Sequence, residues 1–535
     1  MVYDFLIVGS GFGGAVSALR LVEKGYSVLI AEQGKRYSAA DFATSNWHFR
    51  KYLWAPLIRM YGIQKLSFFR NASILSGVGV GGGSLVYANT LFYPPQSFFR
   101  HKNWSRFGNW EEILRPYYDE AAFMLGRCIN EKLYEEDRLL RETAGKMGLS
   151  ETFKPVYVGV YFNDKDKSYD PYFSGLGPER TPCSECAGCM VGCRENAKNT
   201  LDKNYLFFAE KFGATILSEH KADKIEYHRG QYTVTLYNIT GLPVKKRRII
   251  HARNVVVAAG TLGTLDLLLK QKYKYKTLPA LSDRLGENLL TNSETLNAIT
   301  VPGKKLNNGI AISSGFHADH ETHIEVVKYP DRSNLLRLFF SFAVSGDIGK
   351  HNRPYRWIKK VIFHPLGFFR FIFRKNWSSN SVILLVMQSA ENAMTMVWKK
   401  GVFGSRMKIR NAGRQKVPAF IPKGQEAMNN LAKIAGGIPQ NIILETLLNR
   451  PTTAHILGGC PMGDHRENGV VDSSFRVLGY PGMYITDGSV IQGNIGVNPS
   501  FSITAQAEYA MSHISEKEGN KNITLKQQIN RIKHE

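Results

Sequence analysis

Acid is scarce in this chain of 535 residues: 45 aspartates and glutamates face 69 lysines and arginines, a formal charge of +24. That balance excludes an acidic, self-repelling coil. It favours anionic partners, whether nucleic acid, an acidic lipid surface or an acidic protein, with a solvated basic surface as the plain alternative. Long apolar runs are also missing. None reaches 18 residues, so no spanning helix is expected. The opening Met1-Val2-Tyr3-Asp4 has neither a basic region nor a cleavage site, which predicts a protein made and kept inside the cell. Cysteines number only six, and four of them, Cys183, Cys186, Cys189 and Cys193, fall within eleven residues. Such bunching excludes a disulfide framework and reads as a ligand spacing. What is present suits a globular protein. Apolar residues make up 43% and the chain is too long for one core, so two intertwined domains are expected.

Phe5 to Val8 is a short apolar run, as in a buried parallel strand. Gly9-Ser10-Gly11-Phe12-Gly13-Gly14 follows, then a helix-forming stretch from Ala15 to Leu21, then a second strand from Tyr26 to Ala31 that ends in Glu32. In a dinucleotide site Gly9 permits the tight turn, Gly11 lets the backbone approach a pyrophosphate and Gly14 lets helix and strand pack closely. The helix N-terminus offers free N–H groups to that pyrophosphate. Glu32, 18 residues past Gly14, is placed to accept from ribose hydroxyls. A lone glycine motif is weak evidence, whereas strand, motif, helix, strand and acid in order are specific. The motif by itself does not separate FAD from NAD.

A second glycine cluster runs from Ser76 to Ser84 and includes Gly79, Gly81, Gly82 and Gly83. It cannot make a stable helix or strand, and its apolar flanks, Leu75, Val78, Val80, Leu85 and Val86, argue against a free surface loop. A backbone lying flat against a ligand ring fits better. His251 to Ala258 is a further buried strand that ends at Ala259-Gly260, and Met483 to Thr486 is a strand ending in Asp487-Gly488. A helix is expected from Ser502 to Ser515.

These pieces, with His455-Ile456-Leu457-Gly458-Gly459-Cys460 and Gly496-Val497-Asn498-Pro499, resemble the glucose–methanol–choline (GMC) oxidoreductase family, closest to its cholesterol-oxidase branch. The resemblance covers residues 1–95, about 250–290 and 452–512. It implies FAD as cofactor, an α/β fold with a Rossmann-like FAD domain built on a parallel sheet, and an α+β substrate domain with an antiparallel sheet. Cofactor contacts are expected at Gly9, Gly11, Phe12, Gly13, Gly14, Glu32, the 79–84 loop, Asn89, Ala259, Gly260, Asp487, Gly488 and Asn498. Residues 1–95, 205–292 and 452–515 are expected to form the FAD domain. Residues 96–204 and 293–451 are expected to form the cap, and 516–535 a polar, frayed tail.

His455 and Asn498 form the candidate catalytic pair. Oxidising an alcohol needs a base for the hydroxyl proton and a hydride acceptor for the carbinol hydrogen. Imidazole suits the first task, and an Asn amide can hold the oxygen without competing for the proton. Secreted members of the branch also use a substrate-domain Glu to shift a ring double bond. Here Ser378 or Ser379 falls at the aligned position and Glu391 lies past the strand, so the sequence offers no such acid there.

The cysteine quartet, with its x2, x2, x3 spacing, leaves three readings open: an iron–sulfur cluster that takes electrons off the flavin, zinc pinning a loop, or four thiols without metal. Cys128 and Cys460 read as packing residues. The stretch from Gly349 to Trp377 holds eight cations, eight aromatics and no acid; a similar mixture runs from Trp47 to Phe69. Cations beside aromatics are the pattern of an interfacial anchor, with a buried lid as the alternative.

The expected protein is therefore an FAD enzyme at the inner face of a membrane that oxidises a bulky apolar alcohol, sterol-like or long-chain. The enzymatic alternative is a GMC-type dehydrogenase of a sugar or natural-product hydroxyl. The non-enzymatic one, a zinc-stabilised nucleic-acid binder, lacks any recognisable module. No motif specifies the electron acceptor: oxygen, a quinone and a redox protein each fit.

Overall fold

The computed structural model describes residues 1–163, 168–241, 246–346, 352–372, 374–401, 404–412 and 416–534. Its first layer is a sheet built on the strand Val2–Val8, flanked in parallel by Val28–Ala31 and Arg247–Val257, with Thr215–Leu217 added outside Val28–Ala31. The strand Arg247–Val257 is shared. Its first half pairs antiparallel with Gln231–Asn238, and its end pairs in parallel with Met483–Ile485. Phe5, Leu6, Ile7, Val255, Val256 and Val257 are fully or nearly fully buried, which explains their unbroken apolar run: a central parallel strand is covered on both faces. The helices Phe12–Glu23 and Ser500–Ser512 pack together over this sheet.

The second layer is a mixed-order sheet of seven antiparallel-paired strands. Its centre places Thr322–Val327 beside Ser381–Gln388, which pairs in turn with Thr295–Thr300. Alternation along these strands gives two apolar faces. One carries Ile324, Val326, Leu384 and Val386 under the helix Pro422–Ala435. The other carries Ile383, Leu385 and Met387, with His323 and Glu325 opposite Met387 and Leu385.

Three boundaries depart from the sequence reading. The helix Trp110–Met124 falls in the expected cap, yet Trp110, Leu114, Tyr118 and Met124 pack into the core of the FAD domain. The hairpin Ala393–Gly401 and Gly404–Ala412 likewise joins that core through Met394, Met396 and Ile409 and pairs with Leu289–Leu290. Both are apolar on one face, and the nearer unburied partner lies on the FAD side. Nor is the tail frayed. The helix Leu525–His534 buries Leu525 and Ile529, one turn apart, and Leu525 N–H donates to Glu23 at 2.8 Å. Among the described residues no helix is long and apolar enough to cross a membrane.

Candidate active site

The nucleotide cradle is assembled from the ends of the parallel strands. Gly9 has φ +100°, and a Cβ there would meet Ala258 O at 2.3 Å, so the turn after the first strand admits no side chain. Gly14 would meet Gly9 O and Gly13 would meet Thr486 O, each at 2.0 Å, which lets the helix start hard against both strands. Gly11 and Gly260 differ. No heavy atom lies within 4 Å of a Cβ at either, so both face open space at the mouth of the sheet. The second glycine loop closes on the first: a Cβ on Gly82 would meet Gly11 Cα at 2.6 Å, and Gly83 lies over the Phe12 ring. Glu32 is buried and oriented by N–H groups of Ser10 at 3.1 Å and Gly34 at 2.8 Å. Burial raises its carboxyl, and those N–H donors pull it back.

Asp487 is held by Ser489 N–H at 2.9 Å and Thr264 Oγ1 at 2.5 Å, beside Gly260 and Gly488. Ser84 braces the loop internally, donating to Gly81 O at 2.7 Å and accepting from Leu201 N–H at 3.0 Å. Asn89 is fully buried with φ +70°, and both ends of its amide lack a protein partner. A buried amide with both ends unpartnered suits hydrogen bonding to the polar edge of a flavin dinucleotide.

His455 and Asn498 are linked through Glu325, which bonds the Asn498 amide and lies within electrostatic reach of His455, and Glu294 joins them; the sequence reading missed both acids. Glu294 is almost fully buried. Its Oε1 pairs with His455 Nδ1, and its Oε2 accepts Ala454 N–H at 2.8 Å. Burial alone would lower the His455 pKa, but the charge and hydrogen bond of Glu294 raise it overall. With Nδ1 committed, Nε2 is the nitrogen left for a substrate hydroxyl.

Glu325, fully buried on the strand Thr322–Val327, is the second acid. With the Asn498 amide oriented to satisfy both its ends, Asn498 Nδ2 donates to Glu325 Oε1 at 2.7 Å. His323 Nε2 lies 3.2 Å from the same oxygen, while His323 Nδ1 has no partner. Burial pushes His323 down to about 4, so the ring is neutral. Burial pushes the Glu325 carboxyl up to about 8, against the opposing effects of His455 and the Asn498 bond. Asn498 thus carries Glu325 rather than standing free for the substrate alone.

The sequence reading found serines, Ser378 or Ser379, where the family's substrate-domain acid aligns, whereas the structure buries a carboxyl elsewhere, at Glu325. Those serines bond Asn334 and Asp331 at the far end of the neighbouring strand, and the register sets Glu325 opposite Leu385 in mid-sheet. Glu391 pairs with Lys102 at the surface. No local signal marks Glu294 or Glu325 in the sequence.

All six cysteines are free thiols. Cys460 is fully buried and Cys128 half-buried. Cys183 lies within electrostatic reach of Cys186, Cys189 and Cys193. Among the described residues no three His, Cys, Asp or Glu side chains are placed to hold a metal ion. Beneath the quartet lies Lys198, 1% exposed, whose ammonium donates to the carbonyls of Leu85 at 3.0 Å, Tyr87 at 2.9 Å and Cys189 at 2.7 Å. The cysteine loop and the end of the second glycine loop are therefore tied through one side chain.

Comparison with known proteins agrees with this geometry. The N-terminal model of GMC oxidoreductases matches residues 174–292 and the C-terminal one residues 386–507. A cholesterol oxidase of Acinetobacter baumannii is 40% identical over 528 residues, covering 96% of this chain and 95% of that protein. One from Mycobacterium tuberculosis is 43% identical over 525 residues, covering 95% and 90%. Among solved structures, a pyridoxine 4-oxidase from Mesorbium loti superposes with a TM-score of 0.61 at 15% identity, covering 96% of this chain and 99% of that one, a likeness of fold.

Proposed function

Because the chain belongs to the GMC oxidoreductase family and is an FAD-dependent oxidoreductase acting on alcohols, we propose that its substrate is a bulky apolar alcohol, sterol-like or long-chain. The observation that carries this reading is the setting of His455, Asn498 and Glu325. The strand face around Glu325 presents Ile383, Leu385 and Met387, and Phe92 packs edge-on against His323 at 5.1 Å. A sugar would leave its hydroxyls unpaired against such a wall. Bound FAD supplies the hydride acceptor for the carbinol C–H.

The chain's own part is proton handling. His455 Nε2 accepts the hydroxyl proton, and Glu294 stabilises the imidazolium that results, as a buried carboxylate does behind a catalytic histidine. Where the product is a ketone with a double bond one carbon further along, Glu325 is placed to move a proton. It takes one from the carbon between carbonyl and double bond and returns it at the far end of that bond, which brings the two into conjugation. Asn498 and His323 hold the carboxyl for this step.

Anaerobic mixing with cholesterol, a long-chain primary alcohol or glucose tests the substrate class. The flavin band at about 450 nm is expected to bleach with the first or second and to persist with glucose. Bleaching by glucose alone would overturn the apolar reading.

A second reading is favoured by Lys198. Its three hydrogen bonds all go to carbonyls and none to a carboxylate, and Arg180, also 1% exposed, likewise bonds only carbonyl and amide oxygens. Asp202 is the acid within electrostatic reach of both yet bonds neither, and burial brings Lys198 down to about 7, so a further anion nearby would hold the pair charged. An iron–sulfur cluster held by the quartet is anionic, and it takes each thiolate on a separate iron rather than drawing all four to one ion. Cys183, Cys186, Cys189 and Cys193 would hold it, and it would supply an electron acceptor beside the loop that Lys198 ties through the Leu85 and Tyr87 carbonyls. Protein purified without oxygen is expected to carry iron and acid-labile sulfide, both lost in Cys186→Ser with flavin retained. Iron-free protein from iron-replete cells would sink this reading and leave alcohol oxidation standing.

A further inference from the structure

The helix Arg353–Phe363 is turned the wrong way round for a globular protein. Arg353, Trp357 and Lys360, two cations and a hydrogen-bonding ring at i, i+4 and i+7, face inward. Arg353 is buried and donates to Ala419 O at 3.1 Å, Trp357 Nε1 donates to Ser341 Oγ at 2.7 Å, and Lys360 donates to Ala343 O at 2.9 Å. Its apolar residues face out. Tyr355, Ile358 and Ile362, spaced by three and four, are 70%, 49% and 66% exposed, and the stripe continues through Phe363 and Leu366 at 68% and 73%. Leu366 lies on the next helix, Pro365–Ile372, whose Phe369 is also exposed. A stripe at helical spacing normally seeks the core. This one is fixed outward by the three inward bonds, and exposed apolar patches of such continuity mark interaction sites.

We propose that these two helices form a docking face for a lipid bilayer with anionic headgroups. Charge complementarity selects that occupant. Residues 349–377 hold no acid, Lys359 sits on the exposed side beside Ile362, and Lys375 lies just beyond the second helix, also exposed. The whole chain carries +24. An aromatic and aliphatic stripe bordered by lysines is the composition that settles at the headgroup boundary, with roughly 1 kcal/mol from each cation near an anionic surface. Lys350, Phe373 and the side chains of Arg370 and Phe371, which the sequence reading counts in this segment, lie outside the described residues.

The face also leads somewhere. Val361 and Phe368, on the inner sides of the two helices, pack on the same apolar cluster that contains Leu385 and Met387, the strand neighbours of Glu325 and His323. Apolar material is thus continuous from the outward stripe to the wall of the site. The docking face and the apolar wall of the site thus share one hydrophobic cluster, which sets the site behind the membrane-facing stripe. This deepens the apolar-substrate reading and rests on it for its purpose, but not for its test.

The test is flotation of the full-length enzyme with vesicles of phosphatidylcholine alone or with a third phosphatidylglycerol. The parent is expected to float with the anionic vesicles, to stay behind with neutral ones, and to be released by salt. The triple variant Ile358→Ser, Ile362→Ser, Leu366→Ser changes only exposed side chains. It is expected to lose binding by roughly tenfold or more while oxidising a short soluble alcohol at the parent's rate. Equal flotation of parent and variant would overturn the proposal. So would a parent that ignores both vesicles, or that forms a dimer the variant abolishes, since the face would then belong to a second copy. Loss of oxidation with vesicle binding intact would instead count against the assigned chemistry.

Discussion

Replacing His455 by alanine is expected to leave flavin bound and to lower alcohol turnover by roughly a hundredfold or more. Glu294 occupies Nδ1 of the ring, which leaves Nε2 as the nitrogen to accept a proton. Flavin binding should persist, since the cradle is built from Gly9, Gly11, Glu32, the 79–84 loop and Asp487, none of which bonds His455. The pH profile carries the sign. Glu294 raises the pKa of His455, so the imidazolium persists to higher pH than in a free histidine. Only neutral imidazole accepts the proton, so turnover falls as pH drops through that raised value. In Glu294→Gln the raising charge is gone. The acid limb should then move to lower pH while the plateau drops, because the imidazolium formed in the reaction has lost its counter-charge. A His455→Ala enzyme that turns over within a few-fold of the parent would remove His455 from the mechanism. An unmoved acid limb in Glu294→Gln would reduce Glu294 to a structural role.

The second large effect is on the double bond. Glu325→Gln is expected to abolish the shift, by roughly a hundredfold or more, while alcohol oxidation stays within about tenfold of the parent. The product of a sterol with a ring double bond next to the alcohol-bearing ring would then accumulate unconjugated, which shows as a missing enone absorbance. Glutamine keeps the shape and a partner for Asn498 but cannot carry the proton. Burial holds the Glu325 carboxyl near 8, so the basic form grows as pH rises towards and through 8. The shift, taken alone, should therefore accelerate over that range. Stability runs the opposite way. A carboxyl whose folded pKa is raised contributes stability fully below its unfolded value, near 4.3, and loses it as pH rises through about 8. Glu325→Gln should thus be at least as heat-stable as the parent at pH 9. If conjugated product forms at the parent's rate in the variant, Glu325 is not the proton carrier.

The cradle was legible because it is local. Gly9 to Gly14 with Glu32, and Ala259 with Gly260, are stretches whose backbone needs are written in neighbouring residues, and the structure puts them at the strand ends the spacing anticipates. His455 and Asn498 were legible through the turns that flank them. The packing of the helix Trp110–Met124 and of the hairpin 393–412 was not, because an apolar face declares that it will be buried but not against which domain. The tail misled for a related reason: two apolar side chains, Leu525 and Ile529, suffice to dock a helix when an open groove and the Glu23 carboxylate await them.

By itself, then, the order of residues determined a flavin-binding α/β protein, since glycine turns, buried strands and helix caps act over a few residues and obey steric rules that need no distant partner. Only the tertiary structure decided that Glu294 pairs with His455 and that Glu325, 130 positions away in the chain, comes within electrostatic reach of the same ring. Strand register, not sequence proximity, chooses which buried carboxyl meets which ring, and burial in that meeting place is what moves their proton affinities.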